Sequence, residues 1–167
     1  SLIITDIDYE KDKITVQEIM CSKTTNATIK HFYSLIHPSD EPTVSNLYVD
    51  DENIFDDLIF ICFQTNKDGY ARTLEEAMLN KYFSMNVCDT YKKSEWNKKR
   101  KDSKLLFSIP NKKDGNNLSG DDMVSIRDIL SSSSKNKTDF MYSVIMNGYV
   151  EAMMPEYIER GLTWLME

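Results

Sequence analysis

Two aspartates separated by one residue, Asp6 and Asp8, close an apolar run at the start of the chain, Leu2-Ile3-Ile4-Thr5. Side chains of a β-strand alternate with a period of two, so residues 6 and 8 of a strand point to the same face. Two carboxylates held side by side repel each other unless a cation lies between them. Hard oxygen ligands of this kind suit Mg²⁺ or Mn²⁺. The carboxyl end of parallel strands is also where sites form in α/β sheets. Asp-x-Asp is a common triplet, and a solvated turn with two ordinary acids satisfies it equally well.

A second cluster lies at Ala71-Arg72-Thr73-Leu74-Glu75-Glu76-Ala77. Thr73 and Glu76 have the spacing of a capping box, in which hydroxyl and carboxylate each satisfy a backbone N–H. That leaves Glu75 in the first helical turn, able either to reach a metal or to compensate the helix dipole. A third candidate is Lys137, in the stretch Lys135-Asn136-Lys137-Thr138-Asp139-Phe140 ahead of a helix. An ammonium and free N–H groups at a helix start attract phosphate, and such a cation stabilises developing phosphoryl charge. A solvated loop lysine, with Thr138 as a simple N-cap, fits the same letters. Lys92, Lys93, Lys98, Lys99, Arg100, Lys101 and Lys104 form a basic run broken by Glu95 and Asp102. It suits either a phosphate backbone or a solvated helix face. His31 and His37 have no ligand spacing.

The elements that must position these residues follow from periodicity and punctuation. Leu2–Thr5 predicts a buried strand, Tyr9–Lys13 a charged loop, and Ile14–Met20 a loop or strand. Asn26 is an expected N-cap for a helix over Ala27–Ile36, stopped by Pro38. Leu58–Gln64, flanked by Asp56-Asp57 and a polar turn, predicts a strand, and Thr73 begins a helix over Leu74–Phe83. Thr90–Lys104 is expected to be partly helical, Asn111–Gly120 a polar loop, Met123–Leu130 a helix, and Ser131–Ser134 a connector. Two helices close the chain, near Asp139–Asn147 and Pro155–Met166, the last with an apolar stripe of Ile158, Leu162 and Leu165. Alternation of strand and helix predicts α/β with a helical C-terminal tail.

Composition narrows the classes. The chain has 167 residues, of which 41% are hydrophobic and 28% charged, a soluble globular mixture large enough for a real core. The longest apolar runs, Leu58–Phe63 and Val144–Met146, fall far short of the ~20 residues that span a bilayer. Cys21, Cys62 and Cys88 are odd in number and show no zinc or disulfide spacing, which points to a reducing, cytoplasmic setting. A net charge of −7 argues against a general nucleic-acid coat protein but not against a nuclease, whose metal ligands are acidic.

Taken together, Leu2–Asp8, Ser22–Lys30, Tyr70–Ala77, Lys137–Phe140 and Pro155–Leu165 resemble, in order, the C-terminal Toprim regions of OLD-family ATP-dependent endonucleases, including Gabija-type nuclease relatives. The resemblance implies a Toprim, Rossmann-like parallel sheet, N-terminally truncated, cutting DNA with Mg²⁺ or Mn²⁺ at a two-metal site. By motif match, Asp6, Asp8 and Glu75 would be metal ligands, Asp6 and Lys137 catalytic, and Thr5 an accessory. Lys98, Lys99, Arg100 and Lys101, within the basic run rather than any family motif, are the expected DNA contacts. The implied organisation is an α/β metal-binding part over 1–90, a basic helix and polar loop over 91–134, and closing helices over 135–167. Thr90–Ser134 matches no family segment. The family also contributes a glutamate from a strand–turn–helix upstream of the Asp-x-Asp strand, and an ATPase domain that binds ATP; neither is visible, and no GxxxxGKS or GxxxxGKT occurs. The chain alone is therefore expected to bind metal weakly and cut DNA poorly, and dimerisation is expected of the full-length protein. Two other classes stay open. One is a non-catalytic Toprim-like interaction module. The other is a haloacid-dehalogenase-type phosphohydrolase, in which Asp6 would be a nucleophile; there Glu10 replaces the usual Thr or Val, and Asp121-Asp122 would have to serve as the downstream acids.

Overall fold

A computed structural model describes residues 1–49, 54–55, 58–132 and 137–167. The flanking pair Asp56-Asp57, the connector residues Ser133-Ser134, and Lys135-Asn136 lie outside them. Strand β1 (Leu2–Ile4) is followed by helices α1 (Val16–Cys21), α2 (Ala27–Ile36) and α3 (Val44–Val49). Next come β2 (Ile54–Phe55), β3 (Ile59–Cys62), α4 (Leu74–Phe83), β4 (Thr90–Lys92) and α5 (Lys93–Ser103). The hairpin strands β5 (Lys112–Lys113) and β6 (Asn116–Asn117) precede β7 (Met123–Ser125), α6 (Ile126–Ser132), α7 (Lys137–Met146) and α8 (Glu156–Met166). The fold is mixed α/β.

Its main sheet is small. β1 pairs in parallel with β3, Ile3 opposite Ile61, and β2 pairs antiparallel with β3. A wide parallel sheet of the Toprim kind is not seen among the described residues. β3 is buried over Phe60, Ile61 and Cys62, as its continuous apolar sequence requires of a strand covered on both faces. α8 covers one face. Gly161 permits the approach: a Cβ there would stand 3.0 Å from Cys62 Sγ and 3.1 Å from Leu2 Cδ1. This close packing turns Tyr157 and Gly161 inward and brings Trp164 to 5.5 Å from the Phe60 ring, so Leu162 and Leu165 are exposed rather than forming the expected stripe.

Helix α4 joins two hydrophobic clusters. Ala77 packs with Ile7, Ile19, Ile29, Phe60 and Phe63, whereas Met78 and Leu79 pack with Trp96, Phe107, Ile126, Phe140 and Val144. Because both sides of α4 are covered, even Glu75, Glu76 and Asn80 are buried. Trp96 anchors the second cluster, with its Nε1–H donating to Val124 O at 2.7 Å and edge-on contacts to Phe83 and Phe107. No helix among the described residues is long and apolar enough to cross a membrane.

Several local expectations change. Val16–Cys21 is a helix because Thr15 and Glu18 form a complete capping box. Met123–Ser125 is a strand paired with Thr90–Lys92, so helix α6 starts only at Ile126. The polar loop carries the short β5–β6 hairpin.

Candidate active site at the end of strand β1

β1 ends at Ile4, and Thr5 still pairs with the neighbouring strand through its N–H to Cys62 O at 3.0 Å. Beyond it the chain leaves the sheet. Asn26 holds that exit: its Nδ2 donates to Thr5 Oγ1 and to Asp6 O, both at 2.8 Å. Its Oδ1 meanwhile accepts from the N–H groups of Thr28 and Ile29, capping α2. One side chain thus starts a helix and fixes the backbone that carries Asp6.

The carboxylate of Asp6 is oriented by Gln64, which follows the end of the parallel strand β3. Gln64 Nε2 donates to Asp6 Oδ1 at 2.5 Å, while Gln64 Oε1 accepts from the Ile7 N–H at 2.8 Å. Gln64 is fully buried, so both bonds have a fixed origin. Burial pushes the Asp6 carboxyl above its ordinary range; Gln64 opposes this, Asp8 and Glu75 add to it, and Lys137 offsets part of it. The charges of the other three predicted residues are therefore felt at Asp6.

Asp8 reaches the rim in a different way from the one its spacing implied. Its backbone is left-handed (φ 48°), a conformation that aspartate tolerates better than most residues. The turn is held by the Asp8 N–H to Arg72 O at 3.3 Å, and by Thr25, whose N–H and Oγ1 donate to Asp8 O at 2.9 and 2.6 Å. Strand alternation does not align Asp6 with Asp8. The Asp8 carboxylate instead meets Arg72 Nη2 at 3.1 Å, and Arg72 Nε donates to Tyr9 O at 2.7 Å.

Glu75 and Lys137 meet across the gap between α4 and α7. Lys137 Nζ lies 3.0 Å from each carboxylate oxygen of Glu75. Lys137 opens α7 and is exposed; Thr138 lies inside that helix rather than capping it. Glu76 departs from the predicted capping box. The Thr73 hydroxyl accepts from Glu76 N at 3.5 Å, but the Glu76 carboxylate accepts from Arg72 N at 2.7 Å and pairs with Arg127, Oε1 to Nε 3.5 Å. Arg127 is buried, donates to Lys13 O and to Tyr9 Oη, and stacks over the Tyr9 ring. Tyr9 Oη in turn donates to Tyr70 O at 2.5 Å. The path Arg127, Glu76, Arg72 links the second hydrophobic cluster to the loop bearing Asp8.

Asp6 thus lies within electrostatic reach of Asp8, Glu75 and Lys137, while the direct contacts join Glu75 to Lys137 and Asp8 to Arg72; Thr5 shares Asn26 with Asp6. Gln64, Arg72 and Arg127 were not among the expected residues. Gln64 carried one signal, a polar residue directly after an apolar strand; Arg72 and Arg127 carried none. Among the described residues, no group of three or more His, Cys, Asp or Glu side chains is arranged to hold a metal ion. Asp8 turns to Arg72 and Glu75 to Lys137, so both of these carboxylates are paired with cationic side chains.

The basic helix divides into two kinds of residue. Lys99 lies over the rings of Tyr91 (4.4 Å) and Phe83 (5.3 Å), and Arg100 donates to Phe107 O and Asn97 Oδ1, both at 3.3 Å. Lys98 and Lys101 are exposed. Asp121 and Asp122 lie in an exposed turn; Asp121 pairs with Lys92 at 3.0 Å and Asp122 accepts from Ser119 N. Against known proteins, no family model, no curated protein and no solved structure matches this chain.

Proposed function

We propose that the chain carries the acidic catalytic rim of a divalent-metal-dependent DNA endonuclease of the Toprim type, akin to the OLD-family ATPase–nucleases. The observation that carries the reading is the Asp6 carboxyl beyond the carboxyl ends of the parallel strands β1 and β3, which feels the charges of Asp8, Glu75 and Lys137, the last two in direct contact. The half-buried Asp6 carboxyl is raised by the charges of Asp8 and Glu75, a repulsion that a cation relieves, and the donor chemistry, all hard oxygen, suits Mg²⁺ or Mn²⁺. Asp6, Asp8 and Glu75 would hold the ions. When bound, such ions supply a nucleophilic water at neutral pH and neutralise charge on the phosphoryl group.

The protein's own groups have distinct tasks. Gln64 fixes the Asp6 carboxylate, and Asn26 fixes its backbone. Arg72 holds Asp8 in its turn. Lys137, on the exposed side of its pair, exchanges Glu75 for a phosphoryl oxygen and stabilises the charge that develops there. In this reading the partner is DNA, ATP is bound by a P-loop domain outside these residues, and the parent protein works as a dimer in the cytoplasm.

The test is a comparison of phosphate esters. With Mn²⁺, the chain should nick supercoiled plasmid slowly and hydrolyse bis(p-nitrophenyl) phosphate faster than p-nitrophenyl phosphate. Asp6→Asn and Lys137→Ala should each lower diester turnover by about a hundredfold or more. Preferential turnover of the monoester, or diester turnover that persists in Asp6→Asn, would contradict it and favour the phosphohydrolase or the interaction-module reading.

A further inference from the structure

Seven basic residues against two acidic ones between Lys92 and Lys104 stand out in a chain of net charge −7. Their helix, α5, is amphipathic in an unusual sense. Its one buried large side chain is Trp96, and the rest of its surface is charged or polar. Lys92, Lys93, Lys99 and Arg100 are engaged with Asp121, with Asn111 and Leu118, with two aromatic rings, and with Phe107 O and Asn97. Lys98, Lys101 and Lys104 are exposed and make no ion pair or hydrogen bond among the described residues. Structural need accounts for the first group and leaves the second without a task.

Two of those unengaged lysines, Lys101 and Lys104, border a groove. Its volume is about 580 Å³, and its lining includes Arg100, Lys101, Lys104, Leu106, Ser108 and Asp139. The groove wall is tied to α7, because Leu106 N donates to Ser143 Oγ at 3.0 Å. Asp139, at the groove's α7 side, lies two residues after Lys137 on the same helix. A cationic trough therefore leads to the helix whose first residue faces Glu75. Phe107 is the one aromatic residue in the lining, and it is buried, so the groove offers no ring on which an unpaired base could stack. The lining sets Arg100, Lys101 and Lys104 against Asp139 and the exposed Leu106, an excess of positive charge that suits a densely charged polyanion, and charge density is greatest on a duplex.

From this we infer that the α5–α7 groove is a docking surface for the phosphate backbone of duplex DNA, with Lys101 and Lys104 as the contacting residues, Lys98 extending the patch by one turn, and Arg100 fixing positive charge in the wall. Recognition here is independent of sequence, because the cationic groups of the lining address phosphates and Asn97, its one amide, already accepts from Arg100. The inference rests on the nuclease reading for its partner and deepens it, since it names the surface that delivers substrate toward Lys137.

A metal-free binding assay separates the two. Fluorescence anisotropy of a labelled 20-base-pair duplex is measured in EDTA across a salt series, so no catalysis or metal site enters. Lys101→Gln with Lys104→Gln should weaken binding about tenfold and reduce the salt slope by about two, one for each phosphate no longer neutralised. The control, Lys67→Gln with Lys81→Gln, removes two lysines that pair with α8 carboxylates and should stay within about twofold of wild type on both readouts. Thermal melting establishes that each variant is folded. Equal weakening by the control pair, no change in the Lys101/Lys104 variant, no duplex binding at all, or tighter binding of the single strand than of the duplex would each overturn the groove assignment. Duplex binding that behaves as expected while Asp6→Asn leaves diester hydrolysis intact would sink the nuclease reading alone.

Discussion

Two adjacent glutamates at the start of α4 make ion pairs of opposite character. Glu76 and Arg127 have side chains only 5% and 7% exposed, and each is bound by further groups: Arg72 N on the carboxylate, Lys13 O and Tyr9 Oη on the guanidinium. Glu75 and Lys137 have side chains 11% and 53% exposed, and the ammonium keeps one side toward solvent. The difference lies in what surrounds each cation. Buried within a network, a charge cannot leave without stranding its partner. At a rim, it can exchange partners at little cost. The first pair suits a tie between two hydrophobic clusters and the second a group that acts on something arriving from outside.

Breaking the buried pair should have the largest effect. Arg127→Met strands the Glu76 carboxylate and should destabilise the protein by about 3–5 kcal/mol, a fall in melting temperature on the order of 10 °C. Adding Glu76→Gln should recover a large part of that loss, which a double-mutant cycle by thermal or urea unfolding would measure. Additive losses would mean that the two side chains do not act together.

The next effect belongs to Asn26. Its replacement by alanine removes the α2 cap and should cost about 1–2 kcal/mol, read as a shift in urea midpoint. Because the same side chain binds Thr5 Oγ1 and Asp6 O, Asn26→Asp should restore most of the cap yet leave those two acceptors facing a carboxylate. A rim function for Asn26 therefore predicts that Asn26→Asp recovers stability more fully than diester turnover.

Two smaller effects sharpen the rim side of the comparison. Lys137→Met should change stability by less than about 1 kcal/mol, because a half-exposed pair is screened by solvent. A loss as large as that of Arg127→Met would erase the distinction. Asp6→Asn should stabilise the fold at neutral pH. The folded-state carboxyl titrates above its ordinary value, so between the unfolded and folded pKa the native state binds more protons than the unfolded state. Stability conferred by the protonated form is then full below the unfolded pKa and is lost as pH rises through the folded one. The asparagine variant avoids that loss, so it should melt above wild type at pH 7, and the advantage should vanish as pH falls below the ordinary carboxylate range, read by thermal melting across pH.

The sequence disclosed some parts of this arrangement better than others, for physical reasons. Helices α2 and α4 were legible to the residue, because Asn26 and Thr73 are caps whose hydrogen bonds are local. The rim residues Asp6, Glu75 and Lys137 were legible as acids and a lysine at element ends. Asp8 was legible in identity but not in geometry: the period-two rule applies within a strand, and β1 stops at Ile4, with Asp8 in a left-handed turn set by Arg72 and Thr25. Arg127 was not legible at all, since its role depends on Glu76 and Tyr9 across long stretches of chain. The α8 stripe failed through Gly161, whose missing side chain rather than any apolar residue decides which face meets the sheet. A truncated Toprim-like parallel sheet was expected, whereas the described strands give one parallel pair with an antiparallel neighbour.

In the proposed function Asp6 and Glu75 serve a common cation, and Mn²⁺ titration by calorimetry addresses that directly. Wild-type chain should show saturable Mn²⁺ binding, weakened about tenfold or more by Asp6→Asn and by Glu75→Gln, and unchanged by Lys92→Gln. Absence of saturable binding, or binding that both rim variants retain in full, would contradict it.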